Sequence, residues 1–224
     1  MQNNAIKKVV FGALVVFAGV GAGIAHAQSN EAYAGVGSDG FGVGYGYSFS
    51  RYGNVRAEVD GFGLSHGFTG GDIHYDGSVK LVHGAVFGDF FPAPSVVPFR
   101  FTAGLLIGGD NFSGDATSMS GTYTLNGVAV PANGETIHAK LKYPAVRPYV
   151  GIGFGHTALA KKGFSVAFDA GVAYGKPTVS FDVPTNIAVA VGQENVDAER
   201  QKLQSKANNL KFYPIVKVAL TYRF

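Results

Sequence analysis

Residues 41–49 read Phe-Gly-Val-Gly-Tyr-Gly-Tyr-Ser-Phe, so a large apolar side chain alternates with glycine or serine at every step. Successive side chains of a β-strand point to opposite faces, and this segment therefore predicts a strand with one bulky apolar face and one nearly bare face. The same period of two recurs in residues 99–108, 164–174 and 212–224. The pattern favours an all-β fold and does not fit the 3.6-residue period of an amphipathic helix.

The first 27 residues have the layout of a cleaved secretory signal. Lys7 and Lys8 precede an apolar run from Val9 to Ile24, and Ala25-His26-Ala27 forms a cleavage site of the A-x-A type. The apolar run is too short to cross a bilayer comfortably as a helix. We therefore expect residues 28–224 to be exported as a single domain.

Charge and cysteine content exclude two classes of protein. Removal of Lys7 and Lys8 leaves 16 basic against 15 acidic residues, so the predicted mature chain has no basic excess that would indicate nucleic-acid binding. The chain has no cysteine, and disulfides therefore cannot stabilise it after export. A closed network of backbone hydrogen bonds, as in a β-barrel, would supply the stability instead.

The alternation divides the chain into eight predicted strands, an even number that suits bacterial barrels. Their ranges are 31–38, 40–50, 53–65, 77–91, 98–112, 138–157, 163–182 and 210–224. Counting back from a last strand that ends in the periplasm makes Arg51–Gly53, Pro92–Val97 and Ala158–Lys162 short periplasmic turns, and residues 66–76, 113–137 and 183–209 longer outer loops. The first hairpin depends on Ser38-Asp39-Gly40, and residues 31–49 could instead form one long strand.

Alternation alone does not distinguish a soluble sandwich from its inverse with the apolar face outward. The predicted signal peptide and the terminal aromatic residue favour lipid outside. Residues 194–210 break the period of two, since Val196, Leu203, Ala207 and Leu210 fall near helical spacing. The sequence therefore predicts an eight-stranded antiparallel up-and-down transmembrane β-barrel with a short helix in its last loop.

Two segments resemble a known family. Residues 148–155, Pro-Tyr-Val-Gly-Ile-Gly-Phe-Gly, followed by a charged turn and Gly163-Phe164-Ser165, look like the sixth and seventh strands of small OmpA-type outer-membrane barrels. The ending Val218-Ala219-Leu220-Thr221-Tyr222-Arg223-Phe224 is similar to their closing strand. The very short first outer loop departs from that family.

The resemblance implies a location and a set of partners. The location is the bacterial outer membrane, and the partners are its lipids and lipopolysaccharide, periplasmic chaperones and the outer-membrane insertion machinery. In the family an aromatic end after alternating apolar positions is the insertion signal, which implies that role for Tyr222 and Phe224. An extracellular ligand is possible, but the sequence does not identify one.

Three motifs point weakly to chemistry. Residues 35–40 match G-x-G-x-x-G, but a strand follows them where a dinucleotide site needs a helix, so we expect no cofactor. Five histidines follow the cleavage site without helical ligand spacing, and no metal site is predicted. Some eight-stranded barrels are lipid A deacylases or acyltransferases. The deacylase-like H-x-S motif is absent, because no histidine here precedes a serine by two residues. Chance explains the scattered Ser65, His66 and Asp72 better than a catalytic triad does, so we expect that the chain is not an enzyme.

Charged residues are predicted to occupy the inward face of the barrel or its rims. Consistent alternation places His83 there together with Arg56, Glu58, Asp60, Asp89, Arg100, Asp110, Arg147, Asp169, Lys217 and Arg223. An unpaired buried charge is very unfavourable, so opposite charges should pair, with Arg56–Asp89, Arg100–Asp89 and Asp169–Lys217 as expected pairs. The network is either a structural plug or a gate, and the narrow lumen of eight strands favours the plug.

Three functions are compatible with these observations. The leading hypothesis is a structural or surface-display barrel that presents its outer loops. The alternative is a narrow channel for small polar solutes, with selectivity set by the lumenal charges. A lipid-modifying enzyme comes third.

Overall fold

The computed structural model describes residues 29–224, so the predicted signal peptide lies outside the described residues. The structure contains thirteen strands, two α-helices and a 3₁₀ turn within this range. In chain order these are β1 Ser29–Gly37, β2 Gly40–Ser50, β3 Gly53–Gly70, β4 Ile73–Phe90, β5 Phe99–Gly108, β6 Asn111–Ser118, β7 Thr122–Leu125, β8 Val128–Pro131, β9 Thr136–Lys142, β10 Val146–Phe154, β11 Gly163–Tyr174, β12 Thr178–Asp182, α1 Thr185–Val191, α2 Gln193–Ala207, the 3₁₀ turn Asn208–Leu210 and β13 Phe212–Arg223.

Eight of the strands close into an antiparallel ring. Taken round the ring they are β1, β2, β3, β4, β5, β10, β11 and β13, and β13 pairs back with β1. Each ring strand therefore pairs with the next ring strand along the chain, which is the predicted up-and-down barrel. The first hairpin is confirmed as two strands joined at Ser38 and Asp39, and the single strand over residues 31–49 is wrong.

The alternation of the ring strands sends large apolar side chains outward. On β11, Val166 is 66% exposed and Phe168 is 40% exposed, whereas Ala167 between them is 1% exposed. The outer surface of every ring strand has the same apolar character, and charged side chains such as Arg56, Asp89 and Asp169 are buried inside the ring. An apolar belt outside and polar side chains inside are typical of a barrel surrounded by lipid.

A second unit, which we call the cap, extends from the end of the ring opposite the start of β1 and the end of β13. It consists of the far halves of β3 and β4 (residues 62–80), with β6–β9, β12 and both helices. β6 pairs with β4, β9 with β6, and β12 with β9. The cap has its own apolar core, formed by Tyr123, Leu125, Val130, Ala132, Ile137, Ile187, Val191 and Val196.

The cap corrects the predicted outer loops. Residues 66–76 are the ends of β3 and β4 around a turn at Gly71, and residues 113–137 contain most of β6 and the β7–β8 hairpin. Residues 183–209 contain α2, which agrees with the predicted helix, and also α1, which was not predicted. Within residues 29–224, neither helix has the length and apolar composition needed to cross a membrane.

Three of the predicted strands are each divided at the boundary between ring and cap. The breaks fall at residues 109–110, 143–145 and 175–177, between β5 and β6, β9 and β10, and β11 and β12. Pro144 and Pro177 lie within two of these breaks and lack the backbone N–H that a continuous ladder needs. At these points the chain passes between the ring and the cap.

Candidate functional site

The interior of the ring is filled with buried charged side chains. Seven acidic and five basic residues there are at most 6% exposed: Glu31, Asp39, Glu58, Asp60, Asp89, Asp110, Asp169, Arg56, Arg100, Arg147, Lys217 and Arg223. The period of two accounts for this placement, since Arg56, Glu58 and Asp60 occupy every second position of β3. All ten residues of the predicted network lie in this interior and in contact with one another in three clusters.

The central cluster joins Arg56, Asp89, Arg100 and Asp169. Arg56 binds Asp89 through Nε at 2.6 Å and Nη2 at 3.2 Å. Asp169 Oδ1 lies 3.2 Å from Arg56 Nη2 and 2.5 Å from Arg100 Nη2. Arg100 Nε is 3.3 Å from Asp89, which also accepts a hydrogen bond from Thr102 at 2.6 Å. Two positive and two negative charges therefore balance at the centre of the barrel.

A second cluster lies at the end of the ring where β1 begins and β13 ends. Arg223 Nη2 is 2.9 Å from Glu31 Oε2, and the other oxygen of Glu31 contacts His156 Nδ1. Asn54 donates to the backbone carbonyl of His156 at 2.8 Å, which ties the loop before β11 to the interior. Glu31 and Arg223 balance each other in charge.

The third cluster, which we call the cap-end cluster, lies where the ring meets the cap and contains Asp39, Glu58, Asp60, His83, Asp110, Arg147 and Lys217. The ammonium group of Lys217 lies 2.8 Å from Glu58, 2.6 Å from Asp60 and 3.0 Å from Asp39. At the other side of the cluster, Asp110 lies 3.1 Å from His83 Nδ1 and 2.5 Å from Arg147 Nη2.

Asp110 is the second residue after the end of β5, and its surroundings hold its carboxylate in the charged form. Burial acts to raise the pKa of Asp110, but the hydrogen bond from His83 and the charge of Arg147 outweigh it, so the pKa lies below its ordinary value. Asp110 therefore remains negatively charged beside both neighbours.

Glycines on the inward face make room for aromatic rings between the clusters. A Cβ at Gly44 would lie 2.3 Å from Cζ of Tyr33, and one at Gly171 would lie 2.3 Å from the hydroxyl of Tyr149. The bare face of residues 41–49 is therefore occupied by side chains from neighbouring strands. Gly40, the last glycine of the G-x-G-x-x-G match, has a φ of +116° at the start of β2, which is typical of a turn.

The side-chain pairing differs from the prediction at one point. Asp169 and Lys217 are direct neighbours across β11 and β13, but their side chains lie in different clusters, so the predicted pair is wrong. Each finds a stronger set of opposite charges elsewhere: Asp169 meets two arginines and Lys217 meets three carboxylates.

Sequence reasoning also missed three members of the interior. Glu31 shares the inward parity of Tyr33 on β1, and consistent alternation of the first strand would have found it. Asp39 lies in a turn and His156 in a loop, where no strand parity exists to place them. Tyr222 and Phe224 lie on the outward face of the ring, 45% and 50% exposed, and their role as an insertion signal stays a prediction.

The closed ring, its apolar outer belt and its charged interior define a small β-barrel of the membrane type with a folded cap. No protein family model matches the chain, and no curated protein matches it. Among solved structures, CarO from Acinetobacter baumannii is similar with 20% identity and a TM-score of 0.59 over 87% of this chain and 97% of CarO. CarO2 from the same organism is similar with 14% identity and a TM-score of 0.58 over 88% of this chain and 98% of CarO2.

These similarities show the fold of the chain. A major outer membrane protein from Thermus thermophilus also matches, with 16% identity and a TM-score of 0.45 over 89% of this chain and 100% of that protein. The prediction of a small closed barrel is confirmed at the level of the fold, whereas the closer resemblance to OmpA-type barrels stays a prediction.

Proposed function

We propose that this chain is an outer-membrane barrel whose closed ring holds the cap at the cell surface for contact with other molecules. The observation that carries the proposal is the division of the molecule into a ring with a filled interior and a cap with its own apolar core. A rigid barrel that supports a structured outer unit is suited to display, because the contact surface keeps its shape without depending on the lipid.

The orientation follows from the placement of the ends. β1 begins and β13 ends on the same side of the ring, and the short turn around Val96 lies on that side, whereas the cap lies on the other. In our proposal the termini face the periplasm, where chaperones and the insertion machinery would receive the chain. The cap then faces outward beside lipopolysaccharide.

Labelling of single cysteines tests the orientation directly, because the chain has no cysteine of its own. Met119 lies at the far tip of the cap and is 68% exposed, whereas Val96 lies in a turn at the opposite end and is 87% exposed. In intact cells a membrane-impermeant maleimide should label Met119→Cys but not Val96→Cys, and both should react after the outer membrane is permeabilised. The reverse pattern in intact cells would refute the proposed orientation.

A narrow channel for small polar solutes is the second candidate. The observation in its favour is that charged side chains occupy the lumen along its whole length, in three successive clusters. Planar-bilayer recordings decide between the two functions. We expect no steady current from the wild-type barrel, and a reproducible single-channel step would favour the channel.

We further propose that the chain is not an enzyme. The buried charged side chains of the ring contact groups of opposite charge inside it, away from the lipid-facing surface. Mass spectrometry of lipid A from cells that lack or overproduce the protein tests this proposal, and a change in acylation that depends on the protein would refute it.

A further inference from the structure

The cap-end cluster differs from the other two clusters in its charge. It contains four carboxylates, on Asp39, Glu58, Asp60 and Asp110, but its only side chains with a permanent positive charge among the described residues are Lys217 and Arg147. With a neutral His83, two negative charges remain without partners. Buried charge without compensation is strongly unfavourable, so a further cation bound in this cluster would stabilise it.

Seven buried atoms of the cluster have no hydrogen-bond partner within residues 29–224. Four belong to the ion pair of Asp110 with Arg147, and the other three are Asp39 Oδ1, Asp60 Oδ2 and His83 Nε2, one on each of three residues. The three residues are at most 2% exposed. His83 Nε2 lies 3.9 Å from Asp60 Oδ2 and 3.9 Å from Asp39 Oδ2. One potential ligand atom from each residue falls within 4.8 Å of the other two. Unsatisfied buried polar atoms are rare in native proteins, and here two of them, His83 Nε2 and Asp60 Oδ2, face each other beside the carboxylate of Asp39.

The surroundings orient these atoms as ligands. His83 Nδ1 is 3.1 Å from Asp110 Oδ1, so a proton on Nδ1 would be donated to the carboxylate and Nε2 would carry a free lone pair. A histidine whose second nitrogen is bonded to a carboxylate is typical of metal sites. Lys217 contacts Asp60 through Oδ1 at 2.6 Å, which leaves the other oxygen of Asp60 directed toward the histidine.

We propose that the cap-end cluster binds one divalent transition-metal cation of the Zn²⁺ type through His83 Nε2, Asp39 and Asp60. One imidazole nitrogen and two carboxylates are a suitable ligand set for Zn²⁺, whereas Ca²⁺ and Mg²⁺ prefer oxygen ligands. Ligand distances of about 2.0–2.2 Å require the three side chains to close in slightly around the ion. The two positive charges of the ion cancel the two excess negative charges. The site does not depend on the proposed display function.

Calorimetric titration of the folded barrel in detergent, freed of metal with a chelator, tests the proposal with Zn²⁺ itself. The wild-type protein should bind one Zn²⁺ per chain. His83→Gln and Asp60→Asn should each weaken Zn²⁺ binding by at least about ten- to hundredfold, because loss of a residue that only hydrogen-bonds to a metal ligand typically has that effect. The matched control is His138→Gln, since His138 Nδ1 also lies near a carboxylate, 2.8 Å from Asp115, but on the exposed surface of the cap. The control should bind as the wild type does.

Each outcome decides the proposal. Absence of stoichiometric binding to the wild type overturns it, and a protonated His83 then supplies one of the two missing positive charges. Unchanged binding by His83→Gln overturns it as well, and loss of binding in His138→Gln places the metal on the cap instead. The faster gel migration of an unboiled, folded barrel checks each variant. If the His83 or Asp60 variant does not fold, the fallback is Asp39→Asn, which changes a residue in a turn and keeps the shape of the side chain. Weaker Zn²⁺ binding by this variant would support the proposal, and unchanged binding would overturn it.

Discussion

Asp89 shows how a single residue is held inside this barrel. Its carboxylate receives Arg56 Nε at 2.6 Å and the Thr102 hydroxyl at 2.6 Å, and Arg100 Nε lies 3.3 Å away. The carboxylate is fully buried, so water cannot replace any of these partners. Neutralising Asp89 would leave Arg56 and Arg100 to share only Asp169, and one buried positive charge would remain without compensation.

We therefore expect Asp89→Ala to lower the free energy of unfolding by about 3–5 kcal/mol, as is typical when one partner of a buried ion pair is removed. Urea titration of the protein in lipid vesicles, followed by the gel migration of the folded form, measures this change. The control is Asp197→Ala on α2, whose pair with Arg200 is exposed and should contribute less than about 1 kcal/mol. Equal effects of the two substitutions would contradict the buried network.

The inward position of these charges could be predicted from sequence, because strand parity fixes it without knowledge of the partner. The pairing could not. Asp169 and Lys217 are neighbours in register, yet each side chain extends to a different cluster along the barrel axis. Long side chains reach several residues away from their own backbone, and which opposite charges they meet depends on the closure of the ring.

At the scale of the element, β11 gives the clearest contrast between the two faces of a strand. Its outward residues Phe164, Val166 and Phe168 belong to the apolar belt, while Ala167 packs inside with Tyr33 and Ala219. In lipid a charge on the outward face has a penalty that depends on depth. The strand therefore offers positions near its middle and near its end for the same substitution.

Phe168→Arg, near the middle of the strand, should destabilise the barrel by about 2–4 kcal/mol, because arginine at the bilayer midplane lacks solvation. Val166→Arg should have a similar effect, whereas Phe164→Arg at the strand end should cost about 0–1 kcal/mol beyond its lost aromatic contact with Tyr222. Unfolding in vesicles gives all three values. If Phe168→Arg were harmless, the outward face of β11 would not be in contact with lipid.

The same alternation explains why the ring was predictable and the cap was not. Strands outside the barrel keep the period of two, so residues 98–112, 138–157 and 163–182 each look like one long strand although each contributes one strand to the ring and one to the cap. The glycine and prolines at residues 109, 144 and 177 mark the breaks, but similar residues also occur inside ring strands, as Pro148 does in β10. The pairing partners, which distinguish ring strands from cap strands, are not encoded in a single strand's pattern.

At the scale of the whole molecule, the ring and the cap meet at three places where the chain leaves and re-enters the ring. At each place the two crossing segments are adjacent: Gly63 pairs with Lys80, Asn111 pairs with Lys142, and Gly175 N–H donates to the Lys211 carbonyl. All members of the three charge clusters lie in or beside the ring and outside the segments between these points. The pairing that closes the ring, including Ile107 with Val146, also lies outside them.

The ring should therefore fold without the cap. We expect a variant in which two-residue Asn-Gly turns replace residues 64–79, 112–141 and 176–210 to insert into lipid and to retain the gel migration of a folded barrel, because such turns fit antiparallel hairpins. Adding Phe168→Arg to this variant should cost the same free energy as in the full chain, since the substitution and the replaced segments share no partners. Failure of the shortened chain to insert, with the full chain inserting under the same conditions, would instead show that the cap guides assembly of the ring.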